Sequence, residues 1–168
     1  MNVNVGLLKN SAKLKYGIVS AFRRADNDFY PPFSSRVDLP SYADKIISKA
    51  FLVGSWEKSS EEDGVLIPEK LYSLYVGYAD KNFEYSFLSY IWVDRALRGR
   101  SVGRRMHNIA ESFVREKGMR GIRAKTWLEN NEATIAFYKS LGYKISAPVY
   151  NAELKRSDLD LTLDFYRE

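Results

Sequence analysis

The chain has 168 residues, 45% of them hydrophobic and 14% aromatic, which is enough for one domain to bury a core. It has no cysteine, which excludes disulfides, thiolate zinc sites and a cysteine nucleophile and points to a reducing, cytoplasmic address. No apolar run approaches the roughly 18 residues of a membrane span, residues 1–15 lack a signal-peptide core, and a net charge of +5 suits acidic small molecules as well as nucleic acid.

Residues 5–24 carry Leu7, Leu8, Leu14, Ile18, Val19 and Phe22 near helical spacing, which predicts a first helix that breaks up at Asp26-Asn27-Asp28. Pro31-Pro32 imposes an extended loop, and a second helix follows over 40–50 with Tyr42, Ile46 and Ile47 on one face. Residues 51–56 read as a strand, 58–64 as an exposed polar hairpin tip, 71–78 as a strand and 79–82 as a turn. Residues 83–93 make a long strand apolar on both faces, with Tyr85, Phe87, Ile91 and Val93 one way and Leu88, Tyr90 and Trp92 the other. Such a strand belongs in the middle of a sheet covered on both sides.

The next helix shows the cleanest period, with Val102, Met106, Ile109, Ala110, Phe113 and Val114 inward and His107, the only histidine, on its flank in a structural role. It stops at Lys117-Gly118. Residues 121–127 form a strand, and Asn130-Asn131-Glu132 opens a last helix with Ile135, Tyr138 and Leu141 on one face. Residues 143–145 and 159–166 close the sheet as a pair of strands joined through 148–158. No repeat, low-complexity tract or linker divides the chain, so residues 1–168 read as a single domain.

Between the long strand and the periodic helix stands Arg98-Gly99-Arg100-Ser101-Val102-Gly103-Arg104. Together with Arg95 and Arg105 it gathers five arginines within eleven positions, which favours a local pocket over a general basic face. A helix start leaves four unpaired N–H groups at the positive end of the macrodipole, so an anion is favoured there. Glycine lets the backbone come close, and arginine adds charge-assisted bonds.

Two patterns in order carry a resemblance. Arg98 and Gly103 meet Gln/Arg-x-x-Gly-x-Gly/Ala, with Ser101 at the middle glycine. About thirty residues on, Asn131 opens a helix that ends in Tyr138-Lys-Ser-Leu141-Gly142-Tyr143. Over residues 83–145 the chain thus resembles the GNAT superfamily of acyl-CoA-dependent N-acetyltransferases. The resemblance implies an α/β (α+β) fold with one GNAT-like domain, in which a central mixed, mostly antiparallel sheet of about six to seven strands is flanked by about four helices.

The resemblance also implies site roles. Ile91, Trp92 and Val93 lend backbone groups to the pantetheine arm of acetyl-CoA, and Arg98, Gly99, Arg100, Ser101, Val102, Gly103 and Arg104 hold its pyrophosphate. Ser101 is small and its hydroxyl can donate to a phosphate oxygen, so binding is expected to survive there. Asn131 contacts the pantetheine or caps its helix. Tyr138 is the expected acid, since a phenol of pKa near 10 can protonate or hydrogen-bond a departing thiolate whose thiol has a pKa of about 8.5. A tyrosine packed in the core is the alternative.

An alkyl amine is only about one part in two thousand neutral at pH 7, so a base or water relay is needed. The resemblance implies a glutamate on the central strand or on the following one, as in many relatives; the latter position is Thr126 here, and of the nearby carboxylates Glu84, Asp94 and Glu129, Glu84 is the expected base. The acceptor, a small-molecule amine, is expected against residues 5–50. There Phe29, Tyr30, Phe33 and Arg36 either grip it or plug the core edge. No metal is implied, and a homodimer through a sheet edge is common among such proteins. Direct transfer follows from the missing cysteine. A non-catalytic acyl-CoA-binding module and a nucleic-acid binder using the arginines with aromatic stacking are the other readings, and bunched arginines disfavour the last.

Overall fold

The computed structural model describes residues 1–166. It forms two compact units, one of Met1–Tyr78 with Tyr90–Ala110, the other of Ala79–Ser89 with the chain from Glu111 onward. Among the described residues the architecture is mixed α/β, with four α-helices and a mixed, mostly antiparallel sheet of eight strands, as expected in kind.

The first unit opens with a strand, β1 (Asn4–Leu8), where helix was expected. Its residues pair antiparallel with β2 (Phe51–Trp56), from Asn4 opposite Trp56 to Leu8 opposite Leu52. Gly6 weakens any helix through this segment, whereas as a strand it lies flat against the Trp56 ring, 3.2 Å from where a Cβ would sit. The helical period belongs to α1 (Lys15–Ala25), which buries Ile18, Ala21, Phe22 and Ala25. Helix α2 (Leu39–Lys49) starts where the Asp38 carboxylate accepts from Ser41 N at 3.0 Å, with Pro40 in the first turn, where its missing N–H costs nothing.

Beyond β2, the polar stretch expected as a bare tip is itself a hairpin. β3 (Ser59–Glu62) pairs with β4 (Val65–Pro68) around Asp63 and Gly64, whose φ values of 53° and 71° suit a tight two-residue turn. Lys13 anchors it through Glu62 at 2.9 Å and Asp63 at 2.8 Å. Next come β5 (Ser73–Tyr78), antiparallel to β2, and β6 (Tyr85–Val93), giving the order β1-β2-β5-β6.

β6 is interior to the sheet as expected, but its two faces differ. Ser86, Leu88, Tyr90 and Trp92 are buried, while Phe87 is 43% exposed and Ile91 and Val93 are half-buried. Helix α3 (Val102–Glu116) buries Val102, Met106, Ala110 and Val114. His107, about 100° around the helix from Met106, is on the flank of the apolar stripe and is nevertheless fully buried, its ring edge-on to Tyr75 at 6.4 Å.

In the second unit the order runs β6-β7-β10-β8 with β9 on β10: β7 (Gly121–Trp127), α4 (Glu132–Ser140), β8 (Lys144–Ile145), β9 (Val149–Asn151) and β10 (Arg156–Asp164). β7 runs parallel to β6 over Tyr85–Leu88 with Gly121–Ala124, then antiparallel to β10 along its whole length. The last strand thus starts earlier than expected, and the connection read as loop contains β9, whose Tyr150 pairs with Ser157.

Candidate functional site

β6 feeds the arginine turn through a braced corner in the first unit. The Asp94 backbone N donates to Tyr72 O at 2.8 Å, and its carboxylate accepts from Ala96 N at 3.1 Å and from Arg24 at 2.9 Å. A short 3-10 turn, Arg95–Leu97, buries Leu97, and the chain then alternates through two left-handed residues, Gly99 at φ 73° and Ser101 at φ 60°. The Ser101 carbonyl accepts from Arg105 N at 2.9 Å, so the N–H groups of Val102, Gly103 and Arg104 precede the first intrahelical donor. These amides stand at the positive end of a 15-residue helix.

The same geometry explains the one departure from the glycine pattern. The constraint at position 101 is a positive φ, which glycine adopts without strain and serine does not; a steric approach is secondary. Ser101→Gly is expected to stabilise the protein by about 1 kcal/mol, raising Tm by about 3 °C in a thermal melt, with cofactor binding retained. Gly99→Ala, at a site with nothing within 4 Å of the added Cβ, is expected to cost about as much for the same conformational reason.

Arg98, expected on the phosphate, has its side chain bonded within the protein. Its Nε donates to Val93 O at 3.0 Å and its terminal nitrogen to the Asp28 carboxylate at 2.7 Å. Asp28 also accepts from Arg95 at 2.9 Å and from the Trp92 indole at 3.0 Å. Burial by itself would push this carboxyl up. The bonds from Arg95 and Trp92 and the charge of Arg98 outweigh it and hold Asp28 below the usual carboxylate range. Its stabilising contribution is therefore complete above a pKa of about 3.9 and is lost only as pH falls through its lower folded value. Arg100 and Arg104 are exposed, and Arg100 enters no side-chain hydrogen bond or ion pair among the described residues.

The β7–α4 junction lies in the second unit. Asn131 stands at the helix-start position, its carbonyl accepting from Ile135 N at 3.0 Å, yet its side chain does not cap. The amide donates instead to Thr126 Oγ1 at 2.9 Å and Trp127 O at 2.7 Å, stitching the start of α4 to the end of β7. Tyr138 is 3% exposed, edge-on to Phe137 at 5.6 Å and Tyr143 at 5.2 Å, and burial pushes its phenol well above the ordinary value.

Glu84 is exposed and immediately precedes β6, at the end of that nine-residue strand opposite the arginine turn, about 30 Å from Val93 at a strand's rise per residue. The whole of β6 thus separates it from the arginine turn. Glu129 accepts from Ser157 N through both oxygens at 3.0 Å, and Asp94 is committed to Arg24.

On the expected acceptor side, Phe29 stacks on Tyr90 at 5.0 Å, and buried Phe33 packs on Phe22 at 5.5 Å and Tyr42 at 5.0 Å. These two plug the core edge. Tyr30 is 51% exposed, and Arg36 lies over the Phe33 ring at 5.4 Å. Arg36 also lines an open cleft of about 440 Å³ with Arg23, Ser34, Ser35 and Asp38. Sequence reasoning missed Asp28, which it took only as a helix breaker; an acid standing between a helix end and two prolines was the available signal. Among the described residues no group of His, Cys, Asp or Glu is placed to hold a metal ion, and no helix is long and apolar enough to cross a membrane.

Comparison with curated proteins gives no significant sequence match. Solved structures share the fold at low identity. One is the NatC complex bound to Gag peptide and CoA, at 15% identity and TM-score 0.73, covering 99% of this chain and 100% of that one. Another is the ribosomal-protein-S18-alanine N-acetyltransferase from Escherichia coli, at 13% and 0.70, covering 99% and 96%. A third, from Bacillus anthracis, is described as a streptothricin acetyltransferase in complex with acetyl coenzyme A, at 20% and 0.57, covering 70% and 63%. The profile of the Acetyltransferase (GNAT) family matches residues 25–143, which takes in the arginine turn, Asn131 and Tyr138, and the chain belongs to that family.

Proposed function

We propose that residues 1–168 act as one acyl-CoA-dependent N-acetyltransferase domain, moving an acetyl group from acetyl-CoA to the primary amine of a small acceptor by direct transfer. The observation that carries the donor side is the turn. Left-handed Gly99 and Ser101 present the Val102, Gly103 and Arg104 amides together, an arrangement that fits a diphosphate, with Arg100 exposed beside them. Ile91 and Val93 lie beyond the stretch of β6 paired to β7, which fits backbone bonding to a pantetheine arm. Bound acetyl-CoA supplies the thioester. This chain supplies positioning and a proton at the Tyr138 oxygen, with no cysteine to hold the acyl group in between.

Raising the Tyr138 pKa makes the phenol a poorer acid but keeps it protonated throughout the working range. We therefore read its role as a hydrogen-bond donor to the departing sulfur. With Glu84 remote, Asp94 and Glu129 committed and Thr126 bonded to Asn131, the amine proton goes to water. This gives a pH signature. The log of kcat/KM is expected to rise with pH without a plateau in the carboxylate or imidazole range, levelling only near the acceptor amine's own pKa of about 10. A plateau beginning below pH 7 would place a protein base in the reaction.

The acceptor class is open to direct test, because the structural neighbours are named for both peptide-linked and small-molecule substrates. Thiol release from acetyl-CoA across polyamines, aminoglycosides, amino acids and free-N-terminus peptides is expected to pick out a small amine. One observation favours a second reading, a binding module without catalysis: Thr126, at a position where the family resemblance implies a glutamate, is bonded to Asn131. Acetyl-CoA binding with no thiol release across the panel would select it.

A further inference from the structure

We infer that Asp28 is a positioning residue that ties the loop following α1 to the arginine turn, so that ligand at the turn and order in the loop are coupled. This rests on reading the turn as the acyl-CoA diphosphate site. Asp28 ends a short 3-10 turn, Asp26–Asp28, that continues α1. Its side chain is 16% exposed and gathers three donors: the buried indole of Trp92 from β6, and Arg95 and Arg98 from the turn itself. Arg98 extends the link by donating to Val93 O, the last carbonyl of β6. On the other side, Phe29 stacks on Tyr90, and Asp26 accepts from both the backbone and the hydroxyl of Ser34 at 2.7 Å and 2.6 Å, which closes the loop over 26–34.

One carboxylate therefore holds one end of the aromatic loop against the segment whose amides face a diphosphate. A ligand that immobilises the turn also immobilises the arginines on Asp28, and through them the loop. By linkage an ordered loop favours the ligand by the same factor. Arg98, the first residue of the motif, acts here through the strand end and the loop, leaving direct phosphate contact to the helix amides and Arg100.

Asp28→Asn isolates the link. Asparagine still offers an oxygen to the Trp92 indole but loses the charge that holds the two guanidiniums, and the Phe29, Phe33 and Asp26 anchors of the loop stay in place. The probe is coenzyme A, with hydrogen exchange of the amides over 29–36 as readout and calorimetry for binding. In the unmodified chain, saturating coenzyme A is expected to slow exchange there at least about tenfold. In Asp28→Asn coenzyme A is expected to bind within about tenfold of its original Kd, with the slowing abolished. Slowing that persists in Asp28→Asn, or binding to the unmodified chain with no slowing, overturns the inference. No binding heat for the unmodified chain overturns the donor-site reading and this inference with it.

Discussion

Replacing Tyr138 with Phe is expected to lower kcat about a hundredfold while the Kd for coenzyme A stays within about threefold, measured by thiol release and calorimetry. The ring is the reason the two quantities separate. Tyr138 is buried edge-on between Phe137 and Tyr143, and phenylalanine keeps both contacts, so the variant folds and retains the surface around it. Only the hydroxyl is lost, and in the proposed role it acts only when negative charge develops on the departing sulfur. An interaction of that kind lowers kcat without changing ground-state binding. Because burial keeps the phenol protonated, the parent enzyme shows no alkaline loss of activity from this group below pH 10. An unchanged kcat in Tyr138→Phe would make Tyr138 a packing residue and remove it from the chemistry.

Gly121→Ala is expected to destabilise the fold by about 3 kcal/mol, a fall in Tm of roughly 6–12 °C for a chain of this size. Gly121 opens β7 and is paired on both sides, with Tyr85 of β6 and Asp164 of β10. A Cβ there would run into the Leu163 carbonyl and press on the Tyr85 ring at 3.0 Å. The carbonyl belongs to backbone, so no rotamer change relieves the clash and β10 must shift. That shift pulls on the Asp164 carboxylate, which holds Tyr85 at 2.9 Å and Arg120 at 3.2 Å. Gly118→Ala is the control: its φ of 72° is unfavourable to alanine but nothing lies within 4 Å, so it is expected to cost about 1 kcal/mol. Gly121 has no positive φ, so its loss measures space alone, and equal losses in both variants would show that β10 yields to the added Cβ at little cost.

Local periodicity made much of the fold readable: α2, β2, β5, β6, β7 and α3 lie close to where apolar spacing puts them. It failed at residues 5–8, where Leu7 and Leu8 fit a helix repeat as well as a strand. Pairing with β2, a partner more than forty residues away, decided between them. It failed again at 59–62, where Ser-Ser-Glu-Glu has no apolar pattern to read and pairing with β4 makes the strand.

By itself the sequence determined the family, since a glycine-bearing basic turn before a periodic helix and the Asn131 to Tyr143 pattern are local and carry their meaning in their spacing. Only the tertiary structure decided what each polar side chain is used for. It put Arg98 on Asp28, the Asn131 side chain on Thr126 in place of a cap, Glu84 just before its strand and His107 in the core. The physical reason is range. A backbone conformation is set by neighbours along the chain, whereas a charge or a hydrogen bond is assigned by whichever partner folding brings near, and Asp28 meets Arg98 across seventy residues of sequence.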